Sequence, residues 1–429
     1  MTTFFDWQQT EGRKADTCYC PRIVMNKYII TGTQMKNKGS QAMFLTLYYS
    51  LKSAHENSEV YGFSNKYESP DKYCFRLLPY DYYTRFVLKN RLSKVPLLVP
   101  LLTYLVGIWR KTDKWQGKLP EMEKVLREAD AIFDASGYTL GSGWSKDGGE
   151  LLLQTIRLAK RYNKKIILMP QSFGPFDWEG DNTDFLKRIK AELAYCTKIY
   201  AREQEGYECL LSLGLDNVEL STDMVIREEF FPTASDIYAS TSDSIAVEQP
   251  TQGSVGFIIN ENVFRIGDPD AVLNLYVKLL DRLSDNGEKV YILNTSTADT
   301  HLVEEVLNKM NDRSRINIIS GEYSSPELID IIARFKYVVA SRYHSVVFAY
   351  RSGVPAIILG WASKYQDLAA HFQQQAYVFD IRQPGVDQIL DQIDHMGKNY
   401  EQESHRIKEC LETVQASSVT REAIYTLKA

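Results

Sequence analysis

Apolar and polar positions along the chain alternate between short apolar runs and stretches with helical spacing. The run Ile23–Thr31, closed by Gly32, predicts a strand. After Ser40, a candidate cap, Phe44, Leu47, Tyr48 and Leu51 recur at i, i+3, i+4 and i+7, the spacing of one helix face. Buried strands are expected at Ala131–Ala135, Lys165–Met169, Lys198–Ala201 and Val218–Ser221. Helices are expected at Leu151–Arg161, Asp184–Tyr195 and Glu203–Leu213. Residues 228–253 are rich in Ser, Thr, Asp and Pro, lack periodicity and read as a linker. The alternation then restarts, with strands at Ser254–Ile259, Lys289–Leu293, Ile316–Ser320, Tyr337–Ala340 and Ala356–Leu359. Helices are expected between them at Asp270–Leu283, His301–Met310, Pro326–Arg334 and Ser345–Ser352, and after them at Ser363–His371. Strands alternating with helices imply parallel sheets covered on both faces. Two α/β domains follow, residues 21–230 and 250–398, with a helical stretch from Asn399 to Leu427 returning to the first.

A chain of 429 residues, 44% hydrophobic and 24% charged, suits two or three globular domains. Fifty basic against 55 acidic side chains give a net charge of -5, which argues against nucleic acid as the main partner. Cys18, Cys20, Cys74, Cys196, Cys209 and Cys410 are sparse and show no CxxC spacing, so free thiols in a cytoplasmic setting are expected. Met1–Cys20 has no apolar core segment and does not read as a signal peptide. No run reaches the ~18 apolar residues of a spanning helix. One stretch breaks the rhythm: Val95–Trp109 carries no charge and is flanked by Arg91 and Lys94 before it and Arg110 and Lys111 after it. Two readings of it are open, a buried core segment or a monotopic patch dipping into the inner face of a cell membrane.

Chemistry-bearing residues gather where strands give way to helices. Asn37-Lys38-Gly39-Ser40-Gln41-Ala42 could present backbone N–H groups to an anion or hydroxyl, or could be a plain turn with Gly39 at positive φ. Ser136-Gly137-Tyr138-Thr139-Leu140-Gly141-Ser142-Gly143 follows a strand, yet fits neither the dinucleotide nor the P-loop fingerprint. Pro170-Gln171-Ser172-Phe173-Gly174-Pro175 is a stiff turn that could bring Gln171 and Ser172 to a ligand. Arg202 and Glu203 open a helix, either as an anion site or as an ion pair. The sharpest segment is Ser341-Arg342-Tyr343-His344, followed by Gly353-Val354-Pro355 and Gly360-Trp361-Ala362-Ser363-Lys364. There Arg342, Lys364 and a helix start would make one anion pocket around His344. Neighbouring cations would lower the pKa of that histidine until a bound dianion offset them. No metal-ligand spacing and no GxSxG elbow occur.

The order NKGSQA, PQSFGPF, ARE, LSTDMV and SRYHSVVFAYRSGVPAIILGWASK, over residues 30–370, resembles the polysaccharide pyruvyl transferase family. The resemblance implies a fold similar to the GT-B glycosyltransferases, two Rossmann-like domains facing across a cleft. It implies transfer of pyruvate from phosphoenolpyruvate to sugar hydroxyls as a cyclic ketal, in making an exopolysaccharide or capsule. No further cofactor and no metal is implied. Arg202, Arg342 and Lys364 would hold the donor and His344 would act as general acid. Asp223 or Glu203 would take the hydroxyl proton. Asn37, Gly39, Ser40, Gln41, Ser136, Gly137, Gln171 and Ser172 would face the acceptor sugar, lipid-linked if Val95–Trp109 contacts a membrane. A nucleotide-sugar glycosyltransferase and a non-catalytic glycan-assembly protein are the competing readings.

Overall fold

The computed structural model describes residues 26–64, 70–90, 118–240, 247–296 and 299–428. The Val95–Trp109 segment, Cys18 and Cys20 lie outside them. Eight strands form the first sheet: β1 (Lys27–Thr33), β2 (Glu59–Ser64), β3 (Arg76–Pro79), β4 (Ala131–Asp134), β5 (Tyr138–Leu140), β6 (Lys165–Phe173), β7 (Lys198–Ala201) and β8 (Val218–Leu220). Their order is β3-β2-β1-β4-β6-β7-β8, with the short β5 paired to β6. The second sheet holds β9 (Val255–Ile258), β10 (Val290–Leu293), β11 (Ile316–Ile319), β12 (Tyr337–Ala340), β13 (Ala356–Gly360) and β14 (Val378–Asp380), in the order β11-β10-β9-β12-β13-β14. The pairings between these strands are parallel in both sheets.

In each sheet the first strand lies in the middle, between its second and its fourth member, so the order reverses there. Such a switch point opens a crevice at the carboxyl ends of the strands, where doubly wound folds bind ligands. In the first sheet the crevice lies beyond Thr33 and Asp134, in the second beyond Ile258 and Ala340.

Short apolar strands such as Ala131–Asp134 and Val255–Ile258 are buried on both faces, which is why they carry no polar alternation. The helix Lys38–Ala54 is also buried on more than one face: Gly39 to Leu47 are all sealed. It lies on β1 and β2 and meets the second-domain helix Ser325–Ile332 on its far side. One apolar cluster therefore runs through both domains, joining Phe44 and Leu47 to Leu328, Val346 and Val347. Separate clusters fill the outer layer of each domain.

The C-terminal crossing differs from the expected start at Asn399. A single helix, Val386–Val414, begins on the second domain, where it packs on the helix Pro269–Asp285. Its end reaches the first domain, where Gln415 Nε2 donates to the Ile226 carbonyl at 3.1 Å. The last helix, Val419–Lys428, then packs on the helix Lys38–Ala54. Glu228 fastens this return, accepting from Ser418 Oγ at 2.7 Å and from the Thr420 N–H at 2.8 Å. The Ile226 carbonyl and the buried Glu228 carboxylate thus find donors, as burial requires. Among the described residues no helix is long and apolar enough to cross a membrane.

Candidate active site

A cleft of about 840 Å³ opens between the carboxyl edges of the two sheets. The first domain contributes the turn before the helix Lys38–Ala54, the loop from Tyr138 to Trp144 and the Ser172–Pro175 turn. The second contributes Asn260, Arg265, Arg342–Ser345 and Trp361–Tyr365.

His344 enters from the first turn of the helix Tyr343–Arg351, which follows β12 directly. Its imidazole is pressed against Gly39 across the domain boundary. Gly39 does not adopt the positive φ that a plain turn would use; it lies in the first turn of the helix Lys38–Ala54. A glycine is required there because a Cβ would fall 2.1 Å from His344 Nδ1. His344 Nε2 is buried without a hydrogen-bond partner and lies 3.7 Å from Asp223 Oδ2. Burial, with Arg202 and Lys364 adding to it, lowers the histidine pKa to about 4, against the upward pull of Asp223.

Arg342 is held rigidly: Nε and Nη2 each donate at 2.6 Å to an oxygen of Asp299. Asp299 is buried, and its Oδ1 also accepts from the Glu261 N–H at 2.9 Å. This fork leaves Nη1 of a fixed guanidinium available in the cleft wall. Lys364 stands half-buried among aromatic rings, its Nζ 5.4 Å from the Tyr343 centroid, 5.5 Å from Tyr138, 5.7 Å from Tyr365 and 5.9 Å from Trp361. Burial first and Arg202 second bring its pKa down to about 7, with Glu203 and Asp223 pulling the other way.

Arg202 is placed differently from the sequence expectation. It does not line the cleft; it is sealed beneath it. Nε donates to Ser172 Oγ at 2.9 Å, Nη1 donates to Asp223 Oδ2 at 3.3 Å, and the guanidinium lies 4.4 Å from the Tyr343 ring centroid. It joins the domains electrostatically and reaches a ligand only through its field. Asp223 is also fully buried: Oδ1 caps the helix Met224–Arg227 through the Val225 N–H, and Oδ2 faces Arg202 and His344. It is therefore not placed to take a proton from a sugar hydroxyl. Glu203 does line the cleft, accepting from Ser172 Oγ at 2.9 Å and from the Phe173 N–H at 3.3 Å. Burial raises its pKa, opposed first by Arg202.

The acceptor-side residues divide. Asn37, Gly39 and Ser172 line the cleft. Ser40, Gln41, Ser136, Gly137 and Gln171 do not, because each is committed elsewhere. Ser40 Oγ donates to the Gly32 carbonyl and accepts from the Gln34 N–H, locking the turn. Gln41 Oε1 accepts from the second-domain Ser325 N–H at 2.6 Å. The Ser136 N–H and Gln171 Nε2 both donate to Asp134 Oδ1. The Gly137 carbonyl accepts from the Ser172 N–H at 2.7 Å.

The glycine-rich loop has a local explanation. A Cβ on Gly141 or Gly143 would come within 2.7 or 2.6 Å of Tyr138 Oη. The glycines let the loop wrap around Tyr138, whose hydroxyl donates to the Gly174 carbonyl at 3.0 Å. Sequence reasoning passed over this tyrosine, the other rings around Lys364, and Asp299. Only the placement of Tyr138 among glycines offered a signal. Among the described residues no group of His, Cys, Asp or Glu is arranged to hold a metal ion.

None of the curated proteins compared matches this chain. Solved structures match in fold over most of their length. Trehalose-6-phosphate synthase OtsA is 9% identical, with 94% of this chain and 99% of that one covered and a TM-score of 0.54. A glycosyltransferase from Rickettsia africae is 9% identical, with coverage of 94% and 98% and a TM-score of 0.53. Anabaena HepE, solved with UDP and glucose, is 10% identical, with coverage of 94% and 100% and a TM-score of 0.51. These likenesses show the GT-B-like fold. The family is shown by the sequence itself, because the polysaccharide pyruvyl transferase model matches residues 37–363 and takes in His344, Arg342 and the turn at Gly39. The chain belongs to the polysaccharide pyruvyl transferase family.

Proposed function

We propose that this transferase moves pyruvate from phosphoenolpyruvate to two hydroxyls of a sugar in a glycan or glycan precursor, forming a cyclic ketal. One observation carries the reading: Arg342, Lys364 and His344 meet in one cleft, the arginine fixed by Asp299 and the histidine held deprotonated by burial, with Arg202 and Lys364 adding to it. Phosphoenolpyruvate supplies both a phosphate and a carboxylate, which suit a fixed fork and a point charge.

Asp299 answers Arg342, and Glu203 and Asp223 answer Arg202, so the donor's phosphate and carboxylate bring negative charge that those two arginines do not alone offset. Donor binding therefore draws protons onto His344 and Lys364. The His344 imidazolium delivers its proton to the methylene carbon of the donor. A sugar oxygen bonds to C2, and its proton passes to Glu203, the carboxylate in the cleft. The bond from C2 to the phosphate oxygen breaks, and phosphate leaves against Arg342 and Lys364. A second hydroxyl oxygen bonds to C2 and closes the ketal. Its proton returns to the imidazole. Asp223 steadies the imidazolium from behind.

The test is ligand-dependent thermal stability of the wild type and Arg342→Ala. A ligand at ~100 times its Kd raises stability by about 2.7 kcal/mol if it binds only the folded state. Stabilisation by phosphoenolpyruvate, lost in the variant, supports the reading. Stabilisation by nucleotide sugars alone overturns it in favour of glycosyl transfer.

A further inference from the structure

Trp144 is half-exposed and lines the cleft from the first domain. Its ring lies 6.3 Å from the Tyr138 ring, and Tyr138 in turn faces the Lys364 ammonium. The indole is thus one aromatic ring removed from the centre where the donor is proposed to react. Arg265, from the second domain, lies over it with its guanidinium 5.8 Å from the ring centroid. Arg265 makes no hydrogen bond or ion pair among the described residues and also lines the cleft. The backbone carrying Trp144 is fixed, because its carbonyl accepts from Trp178 Nε1 at 2.8 Å. A large apolar ring thus stays about half open to water in the cleft, met by one tyrosine ring and a guanidinium that makes no ion pair among the described residues.

We infer that Trp144 is the platform for a second sugar ring of the acceptor, with Arg265, which lies over the indole, moving aside to meet the rim hydroxyls of that sugar. The inference rests on the proposed pyruvyl transfer only in taking a glycan as acceptor. A pyranose offers an apolar face of C–H groups to the indole and a rim of hydroxyls to the guanidinium. Neighbouring sugars of a chain are about one ring apart, as Tyr138 and Trp144 are. The ring that receives pyruvate occupies the space beside Tyr138 and Lys364, and the next ring stacks on Trp144. The acceptor is accordingly an oligosaccharide and not a lone monosaccharide.

An array of bacterial and plant-type oligosaccharides with their monosaccharide counterparts tests this, probed with wild type, Trp144→Ala, Trp144→Phe and Arg265→Ala. The wild type is expected to retain oligosaccharides over monosaccharides. Trp144→Ala should lose at least tenfold in retention, Trp144→Phe less, and Arg265→Ala several-fold. Thermal stabilisation by phosphoenolpyruvate, measured on the same samples, should be unchanged in all of them and shows that the variants are folded. A wild type that retains no arrayed oligosaccharide, or a Trp144→Ala variant that retains them equally, overturns the platform. Failure of phosphoenolpyruvate to stabilise the wild type would instead overturn the donor assignment while leaving glycan retention at Trp144 standing.

Discussion

Gly39 of the first domain and His344 of the second are in direct contact, so close that a methyl group on residue 39 would overlap the imidazole, with Nδ1 at 2.1 Å and Cγ at 2.4 Å. The ring cannot escape by a small rotation, because its own Cγ is in the way. Gly39 also lies in a helix, where alanine's better propensity offsets part of an overpacking cost of about 1–3 kcal/mol. Gly39→Ala should therefore leave thermal stability within a few degrees of wild type while displacing His344. Turnover is expected to fall on the order of 10²-fold, the cost of misplacing a reacting group by about an ångström. Steady-state rates beside a melting curve check it; normal turnover would show that the contact is incidental.

His344 is neutral in the free protein near pH 7, and Lys364 is close to half-protonated there, with pKa values of about 4 and about 7. A bound anion raises both, so binding must take up protons. Above pH 7.5 a phosphate with a second pKa near about 6 is already ionised. Affinity for phosphoenolpyruvate should therefore weaken as pH rises further. Calorimetric titration in two buffers of different ionisation enthalpy measures the uptake, which should shrink in His344→Ala while some binding persists. Turnover should be abolished in that variant. The same lowered pKa has a stability consequence. An unfolded histidine takes its proton near 6.5, the folded one only near 4, so the stability of the free protein falls as pH drops through that window.

Arg342 depends on Asp299 for its aim. Arg342→Lys replaces a two-point fork with a point charge and leaves the buried Asp299 without its partner. Loss of a charged hydrogen bond of this kind costs about 1.5–3 kcal/mol, roughly 10- to 100-fold in KM for the donor. Asp299→Asn should weaken donor binding in the same direction without touching the donor. An unchanged KM in both variants would remove Arg342 from the donor site.

Gln41 was expected to face the acceptor and instead ties the domains together. Its partner, the Ser325 N–H, lies in the first turn of a helix, where no intrahelical acceptor is available, and is completely buried. Gln41→Leu keeps the volume and removes the acceptor, so stability should drop by about 1–3 kcal/mol. Donor KM should stay near wild type. A raised KM for a sugar with normal stability would return Gln41 to the acceptor side.

Much of the scaffold was legible because local pattern and burial agree. Tyr337–Ala340 and Lys198–Ala201 are strands at the expected residues, and the helix Ser363–His371 matches its expected span. Strands buried on both faces announce themselves as apolar runs. β2 and β3 are short and mix apolar with charged and polar residues, which blurs their pattern, whereas the helix Leu119–Glu128 does carry a helical spacing in Leu119, Met122, Val125 and Leu126 that the expected elements leave out. The C-terminal helix starts well before the expected Asn399, and its buried residues Ile389, Ile393, Met396, Glu403 and Ile407 keep to one face throughout.

The sequence by itself determined the two parallel α/β domains, the strand-to-helix junctions that carry Arg342, His344, Lys364 and Glu203, and the family. Those follow from short-range patterns: periodicity, caps and motifs. Tertiary structure alone decided which junction residues face the cleft. Arg202 and Asp223 pass beneath it, Gln41 and Ser325 lock behind it and Asp299 braces Arg342, whereas Tyr138 and Trp144 come forward. The reason is geometric. Residues from the two domains meet across a boundary, and a side chain's role depends on which partner the other domain presents to it. No spacing along one chain segment encodes that meeting.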